Sequence, residues 1–473
     1  MPHSRFALLT VLVLLAGCRT TTRVEQELGP TFDAESPFRG EMSNDEVAAK
    51  EVKQVAFEHQ VQNIEPRQIP QVPPESHLSA GSLSLVALEE MALSRNPSIA
   101  QSVARIEALR GKRLQSGLPP NLTIGYAAEE IGNDGTAGLQ GAYLSQQFVR
   151  GGKLQLNRAI VDQEIFRAEQ QLAAQRRRVL TDVRMGYYET VIAQRRLALT
   201  RDLLRASEEA VNVSRELLEA EEIPRIGLLQ TEVEAQNARI QLQVAGNARD
   251  AAWRQLASIL GQPDLLPQTL EDALSASDIQ LEWHEELERL LRESPETSEA
   301  FAQLERARWS LDRAYAQVTP DVNVQVTLQQ DTTTDTFVSG IQAGLPIPLW
   351  NRNQGGIQQA RSEIVAAERN IERVQLNLTQ RLANAFRSYL NARFQVGTFT
   401  DDILPKAQEN FDLVSEGFRK GELGYLDMLT AQRTYFQTNL TAIDALNNLW
   451  KSQARIEGLL LDNSLQSEIP VQD

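Results

Sequence analysis

Few residues of this chain are placed to do covalent chemistry. The one thiol, Cys18, stands at the foot of a short apolar run, and a single cysteine allows no internal disulfide. The four histidines (His3, His59, His77 and His284) are scattered, and no two have the spacing that chelates a metal. Gly151–Gly152–Lys153 has the residue types of a phosphate-cradling loop but neither its spacing nor its Ser/Thr, and reads as the passage from a strand into a helix. The 63 Asp and Glu side chains fall mostly on helical faces among arginines, so paired carboxylates for acid–base work do not stand out. No Ser-His-Asp arrangement can be built from such histidines, and no enzyme is expected. A net charge of −16, with no basic run longer than Arg176–Arg177–Arg178, excludes a nucleic-acid surface.

Residues 1–17 explain the thiol. Arg5 is followed by an apolar run from Phe6 to Leu15 and by Ala16–Gly17, the pattern of a secretory signal peptide. The run is too short for a mature spanning helix, which needs roughly 20 residues. Leu15–Ala16–Gly17–Cys18 resembles the bacterial lipobox. That likeness implies cleavage before Cys18, a diacylglycerol on its sulfur and an acyl chain on the new amino group, with no other cofactor. The plain alternative is an ordinary signal peptide with an incidental cysteine. Arg19, where retained inner-membrane lipoproteins carry Asp, favours the outer membrane. Residues 18–81, with Pro30, Pro37, Pro66, Pro70, Pro73 and Pro74, read as a lipid-anchored tether or strap.

What must position any site is a helical framework. The chain is 42% hydrophobic but only 6% aromatic, a balance that favours long helices. Its signals occur twice, at offsets of about 200 residues. Helices opening near Ser84 and Trp283 are interrupted at Asn96–Pro97 and Ser294–Pro295, and end at Pro119–Pro120 and Pro320. Beyond each proline the apolar period drops from 3.6 to 2: Leu122, Ile124 and Tyr126 in one stretch, Val322, Val324, Val326 and Leu328 in the other. A turn and a returning strand follow each, giving strands near 120–131, 137–148, 320–331 and 336–347. By periodicity alone these are either half-buried hairpins or transmembrane barrel strands. Four strands cannot close a barrel, so spanning would require several chains to share one.

Long helices near 153–218 and 354–419 come next. Ile357, Ala360, Ile364, Ala367, Ile371, Val374 and Leu378 make a heptad seam on the second, which Pro405 interrupts. Each ends at a tip, near 219–225 and 420–425, and a return helix about half as long follows. Other segments, such as the opening helices, must complete the layer. The units span residues 82–281 and 282–462, with a tail at 463–473.

This order of elements resembles the TolC family of outer-membrane efflux proteins, over about residues 82–462. The second tip, with Glu416–Gly417–Phe418–Arg419, Gly421–Glu422, Leu426–Asp427 and Ala431–Gln432–Arg433, is similar to the lipoprotein branch serving heavy-metal or multidrug exporters. The resemblance implies a mostly α fold with a small β part: two tandem repeats of antiparallel helical coiled coils, and four strands per chain completing a twelve-stranded barrel in a homotrimer. It implies a passive outer-membrane exit duct in a tripartite system, partnered by a periplasmic adaptor and an inner-membrane pump. It further implies adaptor contact at Gly421, Glu422, Leu423 and Gly424, and a periplasmic gate at Asp427, which is otherwise a solvated turn acid. Thr430 stands where some members carry a second aspartate. Two other readings compete: a coiled-coil lipoprotein bracing the envelope, which has no use for amphipathic strands, and an adaptor-type protein, which has one helical hairpin rather than two.

Overall fold

A computed structural model describes residues 83–132, 135, 137–271 and 280–466. Cys18, the signal peptide and the tether lie outside the described residues. The elements are α1 (Leu85–Arg95), α2 (Pro97–Ser116), β1 (Thr123–Glu129), β2 (Leu139–Phe148), α3 (Lys153–Glu219) and α4 (Arg225–Ile259). The same order then recurs: α5 (Trp283–Glu293), α6 (Pro295–Ala316), β3 (Val322–Asp331), β4 (Thr336–Gly344), α7 (Gln354–Thr398), α8 (Leu404–Arg419) and α9 (Tyr425–Glu457). The protein is mostly helical with one small sheet. Among the described residues no helix is long and apolar enough to cross a membrane.

The 67 residues of α3 make a rod of about 100 Å at 1.5 Å per residue. Two shorter helices share its length. α2 lies beside the half nearer the sheet, with Lys112 on Glu164 and Arg113 on Asp162. α4 lies beside the half nearer the tip, with Arg239 on Glu208. α6 and α9 divide the other side of α3 in the same way, through Arg306–Glu164 and Lys451–Glu189. Ala360, Ala367 and Leu378 of the heptad seam are buried, and Ile364, Ala367 and Ile371 pack on Leu304 and Ala307 of α6.

Between α7 and α8 the helix takes one π-helical turn, Phe399–Ile403, where the Leu404 amide donates to the Phe399 carbonyl. Pro405 follows directly. A proline that cannot donate and crowds the preceding turn is a sufficient cause for the widened turn.

The prolines early in each unit act as first-turn residues of α2 and α6, capped by Asn96 and Ser294. Asn96 does more than cap. Its Oδ1 accepts from the Ser98 amide (3.0 Å), while its Nδ2 donates to the Ile259 carbonyl (2.8 Å), joining the start of α2 to the end of α4. Ser294 makes only the capping bond. At mid-height, Val183, Tyr187 and Val191 of α3 pack with Trp253 and Leu256 of α4. Leu378, Phe386 and Tyr389 of α7 pack with Leu449 and Ile456 of α9.

The four strands form one antiparallel sheet in the order β1-β2-β3-β4. Its register sorts the side chains cleanly. Ile124, Leu144, Val326 and Ile341 stand in one row across the sheet; the next row holds Gly125, Tyr143, Thr327 and Gly340. A second row of the apolar face is Tyr126, Ala142, Leu328 and Ser339, and a second polar one is Thr123, Ser145, Gln325 and Gln342. A half-buried hairpin would cover its apolar face. Here Ile124 is 74% and Ile341 80% exposed.

Because Asn96 is buried and serves two segments, Asn96→Ala should destabilise the chain by roughly 2 kcal/mol, a lost cap plus a lost bond to a buried carbonyl. Ser294→Ala should cost only about 1 kcal/mol. Thermal unfolding of the two variants beside wild type checks the difference.

Candidate functional site

The candidate residues gather where the two helical hairpins end. α8 stops in a turn whose geometry is set by Gly421 at φ 72°. The Glu422 amide donates to the Gly417 carbonyl (2.9 Å) and the Gly421 amide to the Phe418 carbonyl (3.0 Å), the paired bonds of a Schellman cap. Leu423 folds back on Gly417, where an added Cβ would meet its Cδ1 at 2.7 Å, so a side chain at 417 would push that leucine aside. α3 ends with the same bonds, Glu222 amide to Leu217 carbonyl and Glu221 amide to Leu218 carbonyl. There the left-handed position is Glu221, at φ 60°. A side chain in that conformation costs about 1 kcal/mol.

Asp427 lies in the first turn of α9, exposed, and its Oδ2 accepts from the Gly424 amide at 3.3 Å. The carboxylate therefore closes the N-terminus of α9, where a negative charge also meets the favourable end of the helix dipole. Thr430, one turn on, bonds its own hydroxyl to the Leu426 carbonyl (2.7 Å). Gly421, Glu422, Leu423 and Gly424 are all exposed at the tip.

The two tips touch. Glu222 reaches to within 3.2 Å of where a Gly421 Cβ would stand, and Tyr425 packs over Gly227. One to two turns above, α9 is laced to the first hairpin. Gln432 Nε2 donates to Ser207 Oγ (2.6 Å) in the interior, and Arg433 grips Glu234 with both arms, Nε to Oε1 at 3.1 Å and Nη2 to Oε2 at 2.7 Å. These hydrogen bonds hold the Glu234 carboxyl below the ordinary glutamate value of 4.5, against the opposing effect of burial. Gln432 and Arg433 stand out in the sequence only as part of a motif. The available signal for Glu234 was its offset of 199 residues from Arg433, the same interval that relates the other duplicated positions.

The glycine–lysine segment is a joint. Gly151 and Gly152 both have φ near 70°, turning the end of β2 into α3. Lys153 is buried, with its Nζ 2.8 Å from Asp321 Oδ1; the Arg150 amide and Gln147 side chain donate to the same carboxylate. Burial pushes Asp321 up, but Lys153 and the Arg150 amide hold it below the ordinary aspartate range. The amine is thus committed to the sheet–helix junction rather than to a phosphate. Among the described residues no group of His, Cys, Asp and Glu is arranged to hold a metal.

These features define a class: a long helical protein with an exposed-faced antiparallel sheet at one end and two abutting hairpin tips at the other. Residues 88–262 and 287–460 match the family described as outer membrane efflux protein, and the chain belongs to that family. It is an efflux channel of the outer membrane, and nothing in the comparisons supports the bracing lipoprotein. The chain is similar to the cobalt-zinc-cadmium resistance protein CzcC of Cupriavidus metallidurans, 24% identical over 81% of this chain and 91% of that one. Among solved structures its fold matches CusC, studied for folding and transmembrane channel formation (TM-score 0.67, 18% identity, 80% of this chain and 92% of that one). It also matches the open state of MtrE from Neisseria gonorrhoeae (TM-score 0.66, 19% identity, 80% and 89%).

Two outcomes follow at the tips. Gly421→Ala should speed amide exchange around Glu422 by the equivalent of about 1 kcal/mol, while Glu221→Gly should slow it around Glu222 by a similar amount. Hydrogen-exchange mass spectrometry of both variants reads this directly. A carboxyl whose folded value is depressed stabilises above its unfolded value and loses that contribution as pH falls through the folded one. The link between α9 and α4 should therefore hold at neutral pH and loosen only below pH 4.5. Exchange at Glu234 and its neighbours across an acid titration tests it, with Glu234→Gln expected to remove the acid-dependent step.

Proposed function

We propose that this chain is one wall segment of a closed tube, a trimeric exit duct through the outer membrane and periplasm. One observation carries the reading: at each level the chain is a layer four elements wide with both margins uncovered. In the sheet the margins are β1 and β4. In the helical half nearer the sheet the order is α2, α3, α6, α7, and nearer the tips it is α4, α3, α9, α8. The margins carry exposed apolar stripes: Val103 and Leu114 on α2, Val365 and Leu376 on α7, Leu229, Val233, Ile240 and Val244 on α4, Leu413 on α8. Covering one such side chain fully contributes about 1.5–3 kcal/mol, so a stripe of several marks an interface.

Lateral closure by identical copies satisfies every margin at once. Three copies give twelve strands, within the range of single-chain outer-membrane barrels, and make the two tandem repeats into a periplasmic tunnel. In this reading a lipid on Cys18 anchors each chain beside its barrel. The tips are the periplasmic mouth, where Gly421, Glu422, Leu423 and Gly424 meet a periplasmic adaptor that links the duct to an inner-membrane pump. Three Asp427 carboxylates around the axis form a cation-favouring gate. The likeness to CzcC makes a divalent-cation exporter the first system to supply the pump.

Detergent-extracted protein should run as an SDS-resistant trimer that becomes monomeric on heating, and Val233→Glu with Ile240→Glu should abolish the trimer while leaving the monomer helical by circular dichroism. A wild-type monomer in outer-membrane fractions would refute the tube. In planar bilayers Asp427→Asn, which keeps an acceptor for the Gly424 amide, should lower the cation preference of the channel. An unchanged preference would leave Asp427 as a helix cap alone.

A further inference from the structure

A groove of about 420 Å³ runs along one side of α9, between α3 and α7. Its floor is a single stripe of α9, Asn448, Lys451 and Arg455, three and four residues apart and so stacked on one face of the helix. Its α7 wall offers the exposed carboxamides of Asn391 and Gln395. The other side of α9 is apolar, where Leu446 and Trp450 pack on the cluster that holds Leu88 and Ala92 of α1. The groove has donors to spare. Arg455 commits Nε to Asp462 Oδ2 (2.8 Å), which leaves both its Nη groups. Lys451 gives one of its three hydrogens to Glu189 of α3. Asn391, Gln395 and Asn448 have no hydrogen-bonded partner among the described residues. The two carboxylates thus balance the cations while using only part of their donor capacity. A cation entering here meets an ammonium and a guanidinium; an oxyanion accepts charge-assisted hydrogen bonds from both.

In the trimeric tube this groove faces the bore. Twelve helices side by side, with axes about 10 Å apart, close a ring about 40 Å across. The face of the layer opposite the groove is covered by α1, and by α5 through Trp283 on Phe386. Three copies of both helices, each about 10 Å wide, would fill the ring, so they stand outside it and the groove opens inward. We propose that Lys451, Arg455 and Asn391 form an oxyanion-binding station, one per chain, for small solutes carrying several carboxylate or phosphate oxygens. Its place in the bore rests on the tube reading; the site itself needs only one chain.

The test uses the full chain, in detergent and in planar bilayers, with citrate and inorganic phosphate as probes and sodium chloride at matched ionic strength as the control. Asn391→Asp and Asn391→Arg change the charge of the groove at an exposed residue without a hydrogen-bonded partner, so neither should disturb folding. Calorimetry should show binding that sodium chloride does not reproduce, weakened about tenfold or more in Asn391→Asp and tightened in Asn391→Arg, as a unit charge several ångström away near a protein surface dictates. Arg455→Gln should weaken it as well. The probe that binds more tightly decides between carboxylate and phosphate as the ligand class. In bilayers that probe should reduce the single-channel current, less in Asn391→Asp and more in Asn391→Arg. No binding of either probe, or equal binding by the two Asn391 variants, overturns the station. Binding that follows the variants while the current of a working channel stays unmoved overturns its place in the bore and leaves the tube standing. The same binding in a protein that remains monomeric and forms no channel fails the tube reading instead, and the station then stands as a surface site of the single chain.

Discussion

A sheet edge in hydrocarbon must be paired, because nothing there replaces the lost hydrogen bonds of its amides and carbonyls. In the proposed barrel that constraint governs this chain. Its sheet turns an apolar face outward, with rows such as Ile124, Leu144, Val326 and Ile341 in register. A single copy leaves β1 and β4 open. The helices inherit the same problem in a milder form, since an uncovered apolar stripe is costly in water where an uncovered edge is prohibitive in lipid. Because strands and helices alternate along the chain, closing the sheet with further copies also brings the margins α2 and α7, and α4 and α8, against their counterparts.

The tips show how one geometry is reached with unequal residues. Both long helices end in the same pair of capping bonds, yet the left-handed position is glycine at 421 and glutamate at 221. The second tip thereby keeps an unstrained turn and can hold Leu423 over Gly417. The first carries strain and a cluster of glutamates. Asp427 serves two ends at once, since a carboxylate that caps α9 through the Gly424 amide is held at a defined height on the tip. A charge fixed by its own helix needs no further partner to stay in place.

Much of the framework was legible because it rests on local rules. Asn96–Pro97 and Ser294–Pro295 read as helix interruptions from their prolines alone, and the strand stretches read from their period. The seam through Ala360, Ala367 and Leu378 followed from heptad spacing, and each of the three is buried. What stayed hidden depends on register between distant segments. Nothing in the alternation of residues 137–148 says that Leu144 stands between Ile124 and Val326. The grip of Arg433 on Glu234 required knowing that α4 and α9 flank the same part of α3. Pro405 announced an interruption, but whether the helix would kink, break or widen by one residue depends on packing around Phe399. The shortening of β4 was readable in principle from Pro346 and Pro348, yet the apolar parity running through Leu349 masks it.

In the proposed duct the two faces of the sheet divide the work. The row facing away from lipid offers Asn323, Gln325, Thr327, Gln329 and Gln147, with Gly125, Gly141 and Gly340 between them. Carboxamides and hydroxyls hydrate well and carry no net charge, and the carboxylates on this face, Glu129 and Asp331, stand in one row at the end of the sheet away from the helices. Glycines at Gly125 and Gly141 leave room for Tyr143 and Gln329 to lie flat over the backbone, which keeps that surface shallow. In the proposed tube the Asp427 carboxylates at the tips add a second charged ring, some 100 Å from the strands by the length of α3 at 1.5 Å per residue. In that reading the duct separates the barrier to entry from the conduit across the membrane, and leaves the choice of cargo to whatever delivers it to the tips.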